Sequence, residues 1–244
     1  MRNKIYSSAD EAVADISDGT VIMFGGFGPG TPRNLIMALL RQGAADLTGI
    51  SNRAGGGRGV TDSAIDVGQL IQARRMRKMI CTITAAMKSS MVVAFDRQFE
   101  AGEIEAELVP QGTLAERIRA GGAGIGGFYT ATGVGTELAE GRECRRINGR
   151  DYLLEFPLRA DYALIRASRA DTFGNLQYRR AQRNFNPLMA RAARITVAEV
   201  DEIVPVGTID PDHVHTSGVY VDRIVKIPAP PEGIWDAVSR PPVD

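Results

Sequence analysis

Residues 20–51 read TVIMFGGFGPGTPRNLIMALLRQGAADLTGIS, and this stretch restricts the fold more than any other. It begins with TVIMF (20–24), an apolar run bounded by glycine on both sides, which suits a short buried strand. The turn GGFGPG follows, and Thr31-Pro32 then marks a helix start with Pro32 at the first helical position. Leu35, Ile36, Leu39 and Leu40 recur at helical spacing, and Gly43 suits the residue just past a helix end. LTGIS (47–51) reads as a second strand. Strand, loop, helix and strand within about 30 residues is the length of a parallel crossover unit.

The same alternation continues on both sides. Ser8 and Glu11 form a capping box for a helix expected to end near Asp18-Gly19. MICTI (79–83) and EAELVP (105–110) read as strands, with helical stretches at 62–78 and 94–101. The basic run Arg74-Arg75-Met76-Arg77-Lys78 reads as the solvated face of the first of these helices. EGRECRRINGRDYLLEF reads as a hairpin turning at Asn148-Gly149, the chemistry of a type I′ turn. DYALIRA, NLQYRR, ITVAEV and VYVDRIV supply further strands, with a helix near 187–194. The expectation is an α/β domain over residues 1–226, an open and mostly parallel sheet flanked by helices. Residues 227–244 hold five of the chain's 12 prolines and read as an extended C-terminal arm.

Charge excludes several functions. Lys+Arg and Asp+Glu are equal at 29 each, so no bulk field draws the chain to nucleic acid or to an anionic membrane. No run approaches the roughly 20 apolar residues of a membrane helix. The start, MRNKIYSSADEAV, lacks the apolar stretch of a secretory signal. Cys81 and Cys144 are far apart and outside any metal-binding spacing, which fits a reduced, cytoplasmic chain without a metal cofactor. Cys81, inside KMICTI, reads as core.

Three places remain for chemistry. The loop of Gly25, Gly26, Phe27, Gly28 and Gly30 joins a strand to a helix N-terminus, a geometry that presents N–H groups to an anion or merely turns the chain. Its spacing is not that of a dinucleotide fold, and Ser51-Asn52-Arg53 offers no acid for a ribose hydroxyl. Asn52 ends a predicted strand, where open α/β sheets bind ligands, although an Asn there also caps its own turn. Gln111 ends another, in VPQGTLAERIRAGGAGIGGFYT (109–130). There Thr113 and Glu116 read as a second capping box, so Gln111 stands just outside a helix that Gly121-Gly122 should stop. Amide side chains so placed can stabilise a developing oxyanion. His213 and His215 read as a surface loop, and no nucleophile elbow is present.

Taken together, DGTVIMFGGFGPGTP, ISNRAG, ELVPQGTLAERIRAGGAGIGGFYTATGVGT, EGRE, ADYALIRASRADTFGN and RNFNPLMARAA resemble, in this order, the alpha (A) subunit of family I CoA-transferases. The resemblance covers roughly residues 3–226 and implies a 3-oxoacid enzyme that moves CoA from succinyl-CoA to 3-oxoadipate or acetoacetate. GRDYLLEFPLRADYALIRA is more similar to the 3-oxoadipate enzymes. The resemblance also implies a beta-subunit partner in an alpha2beta2 complex, a glutamate nucleophile on that partner, and a CoA thioester as substrate without a further cofactor. It assigns Asn52 to an oxyanion hole, Gln111 to the wall of the substrate pocket, and Gly25-Gly26-Phe27-Gly28 to a loop near the active site. TAAMKSSMVV (84–93) diverges from the family where a substrate-facing loop would sit. Two alternatives are a CoA-transferase-like hydrolase of a thioester or CoA-bound ring, and a non-catalytic module binding a phosphorylated metabolite at the glycine loop.

Overall fold

A computed structural model describes residues 3–55, 65–84 and 93–228. The divergent loop (85–92), the start of the predicted helical stretch (62–64) and most of the C-terminal arm (229–244) lie outside these residues.

The main sheet contains β1 (Ile5–Tyr6), β2 (Val21–Phe24), β3 (Leu47–Ile50), β4 (Met76–Cys81) and β5 (Glu105–Leu108) from the first half of the chain. A smaller antiparallel sheet of β6 (Phe128–Thr130), β7 (Cys144–Ile147) and β8 (Arg150–Glu155) follows, in the order β6-β8-β7. The chain then returns to the main sheet as β9 (Ala160–Asp171), β10 (Leu176–Gln177), β11 (Ala193–Val204) and β12 (Arg223–Lys226). The main order is β1-β12-β11-β9-β2-β3-β4-β5, and every neighbouring pair in it is parallel. β10 is antiparallel to β9. From β2 the chain builds outward to β5, and from β9 it builds outward the other way. The seam between β2 and β9 is therefore a topological switch point, where the carboxyl ends of the strands open a crevice.

Alternation along each strand feeds two cores. Ile22, Phe24, Met79, Cys81 and Leu164 face one, with Leu35, Ile36 and Leu39 of α2 (Arg33–Gln42). Also in it are α1 (Ala9–Val13), α3 (Gly68–Gln72) and α4 (Ala94–Glu100), through Val13, Leu70 and Phe95. Met23, Ile50, Ile80, Ala163 and Ile165 face the other core, against α5 (Gln111–Ala123) and α6 (Asn186–Ala192). Each buried Val, Leu, Ile, Phe or Met side chain among these contributes about 1.5–3 kcal/mol by burial. Among the described residues no helix is long and apolar enough to cross a membrane.

Much of the sequence reading holds in detail. The Ser8 hydroxyl accepts from the Glu11 N–H, and Gly43 ends α2 in the left-handed conformation. The Glu11 carboxylate reaches back one residue further than expected, to the N–H and hydroxyl of Ser7. β7 and β8 join at Asn148-Gly149, both with positive φ, as a type I′ turn requires.

Several expectations are corrected. α1 stops at Val13, well short of Asp18-Gly19, and Pro32 is the N-cap of α2 rather than its first residue. The basic run does not lie on a helix: α3 ends at Gln72, Arg74 turns the chain at φ 56°, and Met76-Arg77-Lys78 open β4. Met76 is buried and cannot sit on a solvated face, while Arg74, Arg77 and Lys78 pair with Glu103, Asp46 and Glu107. Thr113 and Glu116 form no capping box. Helix α5 begins three residues earlier, after Pro110, so Gln111 is its first residue and Thr113 is already helical. Glu116 instead holds Arg119, three residues on.

Nor do the paired glycines stop α5; Gly124 does, at φ 72°. Gly121 and Gly122 lie inside the helix where it presses on its neighbours. A Cβ on Gly121 would overlap the carbonyl oxygen of Leu158, and one on Gly122 would lie 2.8 Å from Arg191 Cβ. Their role is close approach of backbone, not termination.

A chain of charges ties the two sheets together through α5. Lys78 of β4 meets Glu107 of β5 at 3.0 Å, and Glu107 meets Arg117 of α5 at 2.8 Å. Arg117 lies 3.7 Å from Glu155 of β8, which also pairs with Arg142. Arg117 Nε donates to the Phe156 carbonyl at 2.8 Å.

The tight seat of α5 yields a stability prediction. Gly121→Ala should destabilise the fold by about 1–3 kcal/mol through overpacking. Gly126→Ala, where a Cβ meets nothing within 4 Å, should change it by less than about 0.5 kcal/mol. Urea unfolding of both variants checks the contrast; equal effects would remove the close-approach role.

Candidate functional site

β3 and β5 end on the carboxyl edge of the sheet, and the two amides predicted from their positions meet there. Gln111 Nε2 donates to Asn52 Oδ1 at 2.6 Å. The backbone around Asn52 is stitched to the loop after β4. Its carbonyl accepts from the N–H groups of Thr82 (3.2 Å) and Ile83 (3.3 Å), and Ala54 N–H donates to Ile83 O at 2.9 Å. Asn52 is therefore held at both its main chain and its side-chain oxygen, and only 1% of it is exposed. Its Nδ2 is left buried without a hydrogen-bond partner among the described residues. An unmade buried hydrogen bond costs about 1–3 kcal/mol, so a donor left in this state calls for a cause. Thr82 Oγ1 and Thr113 Oγ1 are also buried and, among the described residues, unpartnered, one on the loop after β4 and one in the first turn of α5.

The glycine-rich loop after β2 lies at the switch point. Gly25, Gly26 and Gly30 are buried, whereas Phe27 (44% exposed) and Gly28 project outward. The buried part rests on Asn186, the first residue of α6, itself fully enclosed. Asn186 Nδ2 donates to the carbonyls of Gly30 (3.1 Å) and Gln182 (2.7 Å), while its Oδ1 accepts from the Arg166 N–H at 3.3 Å. A Cβ on Gly25 would overlap Asn186 Oδ1, and one on Gly30 would lie 2.7 Å from its Nδ2. Asn184 Nδ2 adds a bond to the Pro29 carbonyl at 2.8 Å. These glycines make room for an internal clamp.

The N-terminus of α2, which the sequence offered as an anion cradle, already meets an anion. The carboxylate of Glu199, on β11, accepts from the Leu35 N–H at 3.0 Å and from Asn34 Nδ2 at 3.4 Å. Glu199 has no exposed surface. Arg166 of β9 pairs with it at 3.0 Å and with Asp201 at 2.6 Å. Burial pushes the Glu199 carboxyl above the ordinary carboxylate range, opposed by the Arg166 charge and by the bond from Leu35. An external phosphate at this end would have to displace a carboxylate built into the fold.

The other candidates are structural. His213 is exposed, while His215 Nδ1 accepts from the Tyr178 N–H at 3.0 Å and its ring stacks on Tyr178. Among the described residues no group of three or more His, Cys, Asp or Glu could hold a metal ion. Cys81 is buried, and desolvation raises its thiol to about 11, far from a reactive thiolate. Sequence reading missed Asn186 and Glu199. The signal for Glu199 was a lone acid inside the apolar strand run ITVAEV, which has no reason to be there unless it is paired. For Asn186 it was an amide beside Pro187 at a helix start, indistinguishable from an ordinary cap.

Residues 6–227 match the family model described as Coenzyme A transferase. The chain is 50% identical over 228 residues to the A subunit of the 3-oxoadipate CoA-transferase of Pseudomonas putida, covering 93% of this chain and 95% of that one. It is 50% identical over 223 residues to the A subunit of the probable succinyl-CoA:3-ketoacid coenzyme A transferase of Bacillus subtilis, covering 91% and 89%. In fold it is similar to the crystal structure of glutaconate coenzyme A-transferase from Acidaminococcus fermentans, with a TM-score of 0.78, 24% identity, and coverage of 92% and 76%.

Glu199 gives this region a pH signature. A carboxyl whose pKa rises on folding binds its proton more tightly in the folded chain, so its ionisation weakens the fold as pH climbs. The unfavourable contribution is absent below the unfolded value near 4.5 and complete above the folded one. The stability difference, wild type minus Glu199→Gln, should therefore decline as pH rises from about 4.5 and level off above the folded pKa. Urea unfolding of both proteins across this range is the check; a difference that grows with pH would contradict it.

Proposed function

Because this chain belongs to the coenzyme A transferase family, we propose that it is the alpha (A) subunit of a two-subunit 3-oxoacid CoA-transferase. It moves CoA from succinyl-CoA to a 3-oxo acid, with 3-oxoadipate preferred over acetoacetate. The carrying observation is Asn52: an amide fixed by Gln111 and by the neighbouring loop, with one buried donor unused at the carboxyl edge of the sheet.

The chemistry uses such a donor. A glutamate carboxylate on the partner beta subunit is the nucleophile: it attacks the thioester carbonyl, and the C–S bond breaks to leave an acyl anhydride and CoA thiolate. The thiolate then attacks the glutamyl carbonyl, giving an enzyme-bound CoA thioester and the free acid. The same steps in reverse load the acceptor acid. Every attack passes through a tetrahedral centre whose oxygen gains negative charge, and a preorganised amide N–H stabilises it by about 3–4 kcal/mol. Asn52 Nδ2 is assigned that task. Gln111 lines the pocket and keeps Asn52 from rotating by holding its Oδ1. The loop of Gly25, Gly26, Phe27, Gly28 and Gly30 is assigned to the adjoining wall, a reading supported by the exposure of Phe27 and Gly28.

The assembly is taken as alpha2beta2, without a metal or other resident cofactor. A preference for 3-oxoadipate rests on the likeness of residues 149–167 to the enzymes of that acid; the two 50%-identical relatives differ in their named acids and do not separate the choices.

This chain purified alone should show no CoA transfer, and the complex with its beta subunit should exchange CoA between succinyl-CoA and 3-oxo acids. Robust turnover by the lone chain would overturn the two-subunit reading, and steady release of free CoA without an acceptor would point to a hydrolase. In the complex, Asn52→Ala should lower kcat about a hundredfold. Its melting temperature should change little, since the lost Nδ2 has no partner among the described residues and Gln111 is exposed to water. A variant that melts early yet turns over normally would make Asn52 merely structural.

A further inference from the structure

Helix α5 is thirteen residues long, and its front end is bare. Its N-cap is Pro110, which has no side chain able to cap and no N–H of its own, and the first turn carries no acidic residue. The first intrahelical bond runs from the Leu114 N–H to the Pro110 carbonyl at 2.8 Å. The N–H groups of Gln111, Gly112 and Thr113 are therefore without partners among the described residues. The helices before it are treated differently: Ser8 caps α1, and the Glu199 carboxylate meets α2. The end of α5 is also open, since Gln111 and Gly112 are exposed and a Cβ on Gly112 would meet nothing within 4 Å.

Two buried polar atoms without partners among the described residues lie at the same end. Asn52 Nδ2 belongs to a residue 1% exposed, tied through its Oδ1 to Gln111, the first residue of the helix. Thr113 Oγ1 belongs to a residue 4% exposed within the first turn. An uncapped helix front, an orphaned amide and an orphaned hydroxyl together form a site rich in donors at the positive end of a dipole. Such a site suits a ligand that is acceptor-only and negatively charged, and a carboxylate is both.

We propose that the N-terminus of α5 binds the carboxylate of the free acid, using the N–H groups of Gly112 and Thr113, Asn52 Nδ2 and Thr113 Oγ1. The inference rests on the CoA-transferase reading and adds to it the place where the acid waits before it becomes a thioester. Glu199 and this ligand are equivalent in chemistry: each is a carboxylate at a helix front on the carboxyl side of the sheet, one built in and one exchanged.

The test uses the assembled two-subunit enzyme and succinate as the probe. Gly112→Asp places a carboxylate of the chain's own at the helix front, where it favours the helix but competes with the ligand. Gly112→Asn adds the same bulk without the charge. Calorimetric titration should show succinate affinity at least tenfold lower in the Asp variant and less than threefold lower in the Asn variant. The Asp variant should melt no lower than the Asn variant. Equal losses in the two, or no succinate binding by the wild-type complex, would overturn the inference. If the Asp variant does not assemble, Thr113→Val decides: at least a threefold loss of succinate affinity without a lower melting temperature supports the site, and unchanged affinity removes it. Absence of CoA exchange in the wild-type complex would defeat the underlying function, whereas intact exchange with equal Asp and Asn losses would defeat this inference alone.

Discussion

A carboxylate with no exposed surface is hard to fold around, costing several kcal/mol in lost hydration unless it is well paired. Glu199 is tolerated because three groups from two elements converge on it: the Arg166 guanidinium from β9, and the Leu35 N–H and Asn34 amide at the front of α2. That convergence sets the position of α2 against the β9–β11 pair. Arg166 extends the constraint further, since its main-chain N–H meets Asn186, and Asn186 carries the glycine loop. The switch point of the sheet is thus held by one connected polar network rather than by packing alone. Replacing any member leaves another buried group unmatched, which is why such a network rigidifies its surroundings.

The two helix fronts on this edge divide the work. At α2 the partial positive charge is satisfied within the fold, and the loop before it is braced from inside. At α5 the corresponding charge meets no side-chain cap among the described residues, and the proposed carboxylate site draws on it. A half-site in a two-subunit enzyme needs both properties. It must keep its shape without the partner's groups, and it must leave donors unmet until substrate arrives. In the proposed role Asn52 combines the two, with one end of its amide fixed by Gln111 and the other unused among the described residues.

Much of this was legible in the sequence because it depends on local pattern. The apolar run in TVIMF, the strand in DYALIRA, the glycine after α2 and the Asn148-Gly149 turn are consequences of backbone geometry within a few residues. The edge positions of Asn52 and Gln111 were legible for a related reason, as each follows a recognisable strand on the edge where such sheets bind ligands. What escaped detection depended on distant contacts. The Gly121-Gly122 pair looks like a helix stop until Leu158 and Arg191 are seen lying against it. Thr113 and Glu116 have capping spacing, but Pro110 starts the helix first and Glu116 finds Arg119. The basic run could not be placed on a strand without the partners Glu103, Asp46 and Glu107, which lie elsewhere in the chain. Asn186 gives no local sign that its amide faces a loop some 160 residues earlier.

The paired glycines of α5 have an effect at a distance. A helix is a stiff rod, and about ten residues at 1.5 Å each, roughly 15 Å, separate Gly121 from Gln111. Where the rear of the rod is pressed against Leu158 and α6, its front cannot slide or roll without breaking that contact. The depth of two missing side chains therefore gauges the distance between the Gln111 amide and Asn52. Alignment of the proposed reacting edge is thus set by a contact remote from it, so sequence drift there would be felt as misregistration of the site rather than as loss of a functional group.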